Sequence, residues 1–259
     1  MIRVLLVGDV MGRPGRRAVR EILPRLRRER DIAFCIANGE NLAGGAGITR
    51  KTADDVFRAG VDVLTGGNHT WDNKEVFDVI DDRRILRPAN YPPGTPGRGC
   101  AVYQTAGGAP LAVLNLLGRV LMNPVDCPFR AADALLGELG GEPIPVVVDM
   151  HAEATAEKQA LGHYLDGRVT AVLGTHTHVP TADAQLLAGG TAYQTDVGMT
   201  GAHDGVIGMR KDLALQRVVA RLPVRGQPAS DDVRFCGTLV EIDEASGRAR
   251  RVDRVEERL

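Results

Sequence analysis

Asp9, Glu40, Asn41, Asn68, His151, His176 and His178 can all bind a metal ion, and each follows an apolar run of the chain. Ile2–Gly8 ends on Asp9, and Ile32–Ala37 runs into Asn38-Gly39-Glu40-Asn41. Val61–Leu64 leads to Gly67-Asn68-His69, Val146–Asp149 to His151, and Val172-Leu173 to His176 and His178. In an open α/β sheet, ligands bind in the crevice at the carboxyl ends of the strands. Carboxylate, carboxamide and imidazole groups delivered to one such edge read as a polynuclear metal site, and hence as a hydrolase.

A lone histidine is usually structural, but the placement of the six is not random. His69, His151, His176, His178 and His203 lie in polar, glycine-containing segments after strands, and only His163 falls inside an expected helix, as a packing or surface residue. In an extended His176-Thr177-His178, residues i and i+2 face one side, so both imidazoles reach one metal or two adjacent ones. A solvated turn before Pro180 is the alternative. Asn38–Asn41 could likewise be a surface turn, but it directly follows a buried strand. Asn68 offers a neutral oxygen, and His69 beside it is placed to act on a substrate. Glu153 is left out of the ligand set, because a first-turn carboxylate is favoured by the dipole of the following helix.

The elements that must position these groups alternate through the first half of the chain. A helix is expected over 16–30, with a break or kink at Pro24, and another over 50–59, capped by Thr49 and closed by Gly60. A third spans 74–82. The 88–99 stretch reads as a loop, followed by an antiparallel pair, 99–104 and 111–116, around Gly107-Gly108. The segment 117–141, with a helix near 130–139, reads as a lid or small subdomain within one domain spanning 1–259. A helix over 155–166 and a strand over 170–173 follow. Leu213–Leu222 reads as a strand, and 235–243 with 248–255 as a hairpin around Ser246-Gly247.

Bulk composition excludes several classes. The 259 residues are 44% hydrophobic and 25% charged, ordinary for a soluble globular protein. Lys plus Arg (32) nearly cancels Asp plus Glu (33), so the net charge does not indicate a nucleic-acid or membrane surface. No secretory signal and no membrane-length apolar run is visible. Cys35, Cys100, Cys127 and Cys236 are scattered without C-x-x-C pairing, which suits reduced thiols in a cytoplasm.

The succession Gly8-Asp9, Asn38-Gly-Glu-Asn41, Gly67-Asn68-His69, His151-Ala-Glu and Gly174-Thr-His176-Thr-His178 resembles the calcineurin-like metallophosphoesterases, and within them the YmdB-like bacterial cyclic-nucleotide phosphodiesterases. Two departures from the superfamily pattern match that group. Asp-x-His becomes Asp9-Val10-Met11, and the bridging Asp becomes Glu40. A third is local: Ala202-His203-Asp204-Gly205 stands where the group tends to carry an aromatic and a serine.

The resemblance implies a four-layer α-β-β-α sandwich, its second sheet built by strands from Ala192 onward, and a homo-oligomer. It implies one ion held by Asp9, Glu40, Asn41 and His178, and another by Glu40, Asn68, His151 and His176, with Glu40 bridging. Oxygen and imidazole ligation without thiolate suits Fe, Mn or Zn better than Mg or Ca. Two ions about 3.5–4 Å apart clamp a phosphoryl group and turn a bridging water into hydroxide for in-line attack. His69 is the catalytic acid in this reading, and a 2′,3′-cyclic nucleotide the expected small phosphoester. A phosphomonoesterase and a non-catalytic nucleotide sensor are the alternatives. Trp71 could stack on a base or simply pack, and Tyr91 is the tyrosine placed to stand at the rim. No segment identifies a base pocket.

Overall fold

A computed structural model describes residues 1–140 and 144–259. The strands and helices in chain order are β1 (Ile2–Val7), β2 (Asp9–Val10), α1 (Gly12–Glu29), β3 (Phe34–Asn38), α2 (Arg50–Arg58), β4 (Val63–Thr65), β5 (Ile85–Leu86), β6 (Cys100–Gln104) and β7 (Pro110–Leu117). There follow α3 (Pro128–Glu138), β8 (Val146–His151), α4 (Thr155–Tyr164), β9 (Ala171–Thr175), β10 (Gln185–Leu186), β11 (Ala192–Gln194), β12 (Met199–Ala202), α5 (Lys211–Val219), β13 (Val233–Ile242) and β14 (Ala249–Arg258).

Strand periodicity builds the layers. In β1, Ile2, Val4 and Leu6 face one core, and Leu5 and Val7 the other. Period-two alternation puts successive side chains on opposite faces. The first core packs Leu5 and Val7 against Val19, Ile22 and Leu26 of α1 and Val56 of α2. The second lies between two sheets, joining Val4, Ile36 and Val63 to Leu111, Val113, Val147 and Leu173. The third joins Leu114, Val148 and Val172 to Leu161 of α4 and Ala132 of α3. The order helices, sheet, sheet, helices is the expected α-β-β-α sandwich.

One sheet runs β2-β12-β13-β1-β3-β4-β5, with β14 on β13, and the other β10-β11-β9-β8-β7-β6. β1, β3, β4 and β5 pair in parallel, as do β7, β8, β9 and β11. Within each set the carboxyl ends share one edge, and both edges feed one cleft. The expectation that all strands after Ala192 build the second sheet is corrected. β11 joins it, but β12–β14 join the first, where β13 runs antiparallel to β1 from Ile2↔Ile242 to Val7↔Gly237. The register explains why, because Val240 and Ile242 enter the intersheet core while Phe235 and Leu239 face α1.

Other local expectations also shift. α1 continues through Pro24, because Ala18, Val19, Ile22, Leu23 and Leu26 are buried on both sides of it. Arg20 faces solvent, and its carbonyl is the one that loses a partner to the proline. Residues 74–82 yield only a 3-10 turn, Lys74–Asp78, which already buries Val76 before Val79 leaves helical geometry. Leu213–Leu222 is not a strand: α5 occupies most of it. Leu215, Val218, Val219 and Leu222 stand at i, i+3, i+4 and i+7, a helical spacing. The 107–108 turn, the Thr49 cap and the β13–β14 hairpin stand as read, and Thr52 completes a capping box with Thr49.

In the 117–141 segment, α3 packs on β7 at the outer face of the second sheet, and Glu157 accepts the backbone N–H groups of Arg119 and Val120. The last residue of that segment lies outside the described residues. Among the described residues, no helix is long and apolar enough to cross a membrane.

Candidate metal and phosphoester site

All seven residues singled out as ligands meet at the strand ends, and His69 stands beside them. Around Nε2 of the fully buried His151 lie Asn68 Oδ1 at 3.0 Å, Glu40 Oε1 at 3.1 Å and His176 Nδ1 at 3.1 Å. A second group forms around Nε2 of His178, with Asn41 Oδ1 at 3.3 Å and Asp9 Oδ1 at 3.9 Å. Asp9 Oδ1 also lies 3.8 Å from His151 Nδ1, which joins the groups.

These atoms fit cations. One imidazole N–H has a single proton to share, whereas three lone-pair atoms surround His151 Nε2. A shared cation satisfies them where a proton cannot. Asp9 Oδ1 is buried without a hydrogen-bond partner, and a buried carboxylate oxygen is costly unless paired or coordinated. Glu40, His151 and His176 offer ligand atoms all within 4.8 Å of one another.

Charge balance says the same. Burial pushes the Asp9 carboxyl up to about 6, although His178 and His151 pull it back. Burial acts upward on Glu40 too, but His151 and His69 outweigh it and hold Glu40 at about 2. Burial alone would lower His151, yet Glu40, Asp9 and Asp149 raise it to about 9. His176, desolvated and next to His151, falls to about 3. The acidic groups thus hold a proton on one imidazole at neutral pH, which is what a site built for positive charge does without other compensation.

Outer partners fix each ring. Thr175 donates to Asp149 at 2.6 Å and meets His151 Nδ1 at 2.9 Å, so the imidazole turns Nε2 toward the cleft. Asn38 donates to the same Asp149 at 3.1 Å. The carbonyl of Ile207 can only accept, so His178 Nδ1 carries the proton at 3.0 Å, and Nε2 is left free for ligation.

The two loop histidines are not in extended backbone as expected. His176 has φ 99° and His178 φ 66°, a region L-residues rarely occupy. Asp9 accepts the His176 N–H at 3.0 Å, and Asp196 accepts that of Thr177 at 3.1 Å. Asp196 is itself paired at 2.7 Å with Lys158, both fully buried. Their side chains converge through this pinned backbone, not through strand alternation. Gly67 is required for a related reason: a Cβ there would collide with Glu40 and His151.

His69 lines the cleft, and its Nδ1 lies 2.6 Å from Asp72 Oδ2. Its backbone N–H donates to Glu40 at 2.8 Å. Asp72, Asp149, Thr175, Lys158 and Asp196 stand in stretches that the sequence reading used, but it gave them no role. Only the i, i+3 spacing of His69 and Asp72 offered a signal. Glu153, excluded as a helix-start residue, precedes α4 and sits 3.1 Å from His176 Nε2. His203 is not brought here and contacts the Met199 carbonyl at 3.0 Å. Trp71 stacks on Phe77 and meets Tyr91 edge-on, so its packing role is met within the protein.

The chain matches the model of the YmdB-like protein family over residues 5–255. It is 48% identical over 255 residues to the 2′,3′-cyclic-nucleotide 2′-phosphodiesterase of Bacillus subtilis strain 168, covering 98% of this chain and 96% of that protein. Two crystal structures superpose closely. One is a hypothetical protein from Thermus thermophilus, with TM-score 0.94, 46% identity and 99% of both chains covered. The other is a phosphatase from Mycoplasma pneumoniae, with TM-score 0.93, 30% identity and 99% and 93% covered. The chain belongs to the YmdB-like family and is a phosphoester hydrolase.

Proposed function

We propose that this YmdB-like hydrolase opens 2′,3′-cyclic nucleotides to 3′-phosphomonoesters, using two transition-metal ions. The observation that carries this reading is the His69–Asp72 pair facing the cleft beside seven converging ligand groups. The name of the Bacillus relative supplies the substrate class and the bond to be broken. Asp9, Asn41 and His178 with Glu40 would hold one ion, and Glu40, Asn68, His151 and His176 the other. Their donors suit Fe, Mn or Zn. When bound, the ions supply Lewis acidity toward the phosphoryl oxygens and ready a water for attack at neutral pH.

The chain's own residues handle the proton. Water gives up a proton to solvent and adds its oxygen to phosphorus, the P–O2′ bond breaks, and O2′ takes a proton from His69 Nε2, which regains one from solvent. Asp72 accepts the Nδ1–H, keeping Nε2 toward the cleft and stabilising the charged imidazolium. His69 needs no ligand role, because Asn68 fills that place.

The test is leaving-group dependence. His69→Ala is expected to keep its metal and to slow cyclic-nucleotide hydrolysis by about 10²–10⁴-fold. An activated aryl phosphodiester, whose leaving oxygen needs little protonation, should suffer far less. Equal slowing of both, or loss of metal, removes His69 from this role. A wild-type protein that turns over monoesters but no cyclic substrate would overturn the phosphodiesterase reading.

A further inference from the structure

The cleft extends well beyond the ligand cluster. It encloses about 720 Å³ and is walled on its far side by residues after β12. That is enough for much more than a phosphate. His178 meets the carbonyl of Ile207, and Met209 lies two residues on. Met209 Cε stands close to the Cβ positions of Gly45 and Gly226, and Met11 Cε to that of Gly45. Beside Gly226 comes Arg225, and α5 adds Arg217 to the same lining. One lining thus holds imidazole, thioether, glycine and guanidinium groups.

The carboxylates lining the cleft each lie against an imidazole: Asp72 with His69, Glu153 with His176, and Glu40 with His151. Arg217 and Arg225 have no carboxylate within ion-pair distance among the described residues. The sulfur-and-glycine surface is apolar and adaptable, suited to the flat face of a base. Two guanidiniums in the same lining suit a phosphate, which a guanidinium can grip in a bidentate way.

Resting on the phosphodiesterase reading, the geometry points to a second anion subsite. Arg217 and Arg225 bind a phosphoryl group on the 5′ oxygen of the nucleoside whose 2′,3′-cyclic phosphate lies at the metal end. That chemistry occurs in two sources: a 5′-phosphorylated cyclic mononucleotide, and the 3′ end of an RNA strand. Net charge hides such a subsite, because two arginines barely change a balance of 32 against 33.

The experiment compares kcat/KM of the metal-loaded enzyme on three substrates. They are adenosine 2′,3′-cyclic phosphate, its 5′-phosphorylated form, and the dinucleotide ApA ending in a 2′,3′-cyclic phosphate. The wild type should favour at least one phosphate-extended substrate by about tenfold at low salt, mostly through KM. Arg217→Ala with Arg225→Ala should collapse that ratio toward one, whereas Arg254→Ala, an exposed β14 arginine outside the cleft, should preserve it. Preference for both extended substrates assigns the subsite to the 5′-phosphate itself, and preference for the dinucleotide alone to an RNA end. No preference in the wild type, or one that survives the double variant, overturns the subsite. A binding arm is independent of turnover: calorimetry with ApA 3′-phosphate against adenosine 3′-phosphate, where the same ratio is expected and equal affinities overturn it. If no cyclic substrate is hydrolysed yet the binding ratio holds, the activity reading fails and the subsite stands.

Discussion

The two walls of the cleft are built to different standards. On the inner wall, a buried network lies under the candidate ligands: Asn38, Thr65 and Thr175 bond Asp149 behind His151, and Lys158 pairs with Asp196 beneath the histidine loop. The outer wall runs through α5, which buries none of its residues, and Val218 and Val219 remain 69% and 76% exposed. Positions that do chemistry must be fixed to fractions of an ångström, and locked outer partners achieve that. Recognition of a substrate's far end needs no such precision. Thinly anchored segments occupy the low end of local stability.

Breaking the inner wall should have the largest effect. Glu40→Gln keeps the volume but removes the charge between the two ligand groups. Metal content should drop, and turnover should fall by more than the about 10²–10⁴-fold expected for a lost acid. Elemental analysis and steady-state rates check both. One step outward, Thr175→Val removes the hydroxyl between His151 and Asp149. Metal affinity should weaken by about 10–100-fold, measured by competition with a chelator.

A pH scan sharpens the contrast without mutation. His151 is raised from 6.5 to about 9 by its acidic neighbours. A base whose folded pKa is raised stabilises the fold fully below the unfolded value, and that stabilisation is lost as pH rises through the folded one. Melting temperature of the metal-free protein should therefore decline between about pH 6.5 and 9. Metal-loaded protein should lack this decline, since His151 is then neutral and coordinated. The smallest effect belongs to the outer wall. Val218→Ser with Val219→Ser should change unfolding free energy by no more than about 0.5 kcal/mol, as for other exposed positions.

The inner wall was the more legible in sequence. Its ligands follow buried apolar runs, and a strand end is a local signal. What holds them was not legible, because Asp149 meets Asn38 and Lys158 meets Asp196 only through the fold. The loop histidines were found for an incomplete reason: residue type pointed to the site, but left-handed backbone delivers them there. In the outer wall a helical spacing at 215–222 was misread as a strand, since no burial enforces its period. The place of β13 also escaped the reading, because pairing between residues 2 and 242 leaves no local trace.

That pairing sets an order of events during synthesis. β1 leaves the ribosome first, yet its neighbour on one side is made more than two hundred residues later. At about 5–20 residues per second, the β1 edge waits on the order of 10–50 s for β13. An open apolar strand edge invites pairing with other chains through that interval. Asp9 lies two residues past the end of β1 and pairs with Met199 of β12. The first of the seven candidate ligand residues to be translated therefore finds its strand partner only once β12 is made.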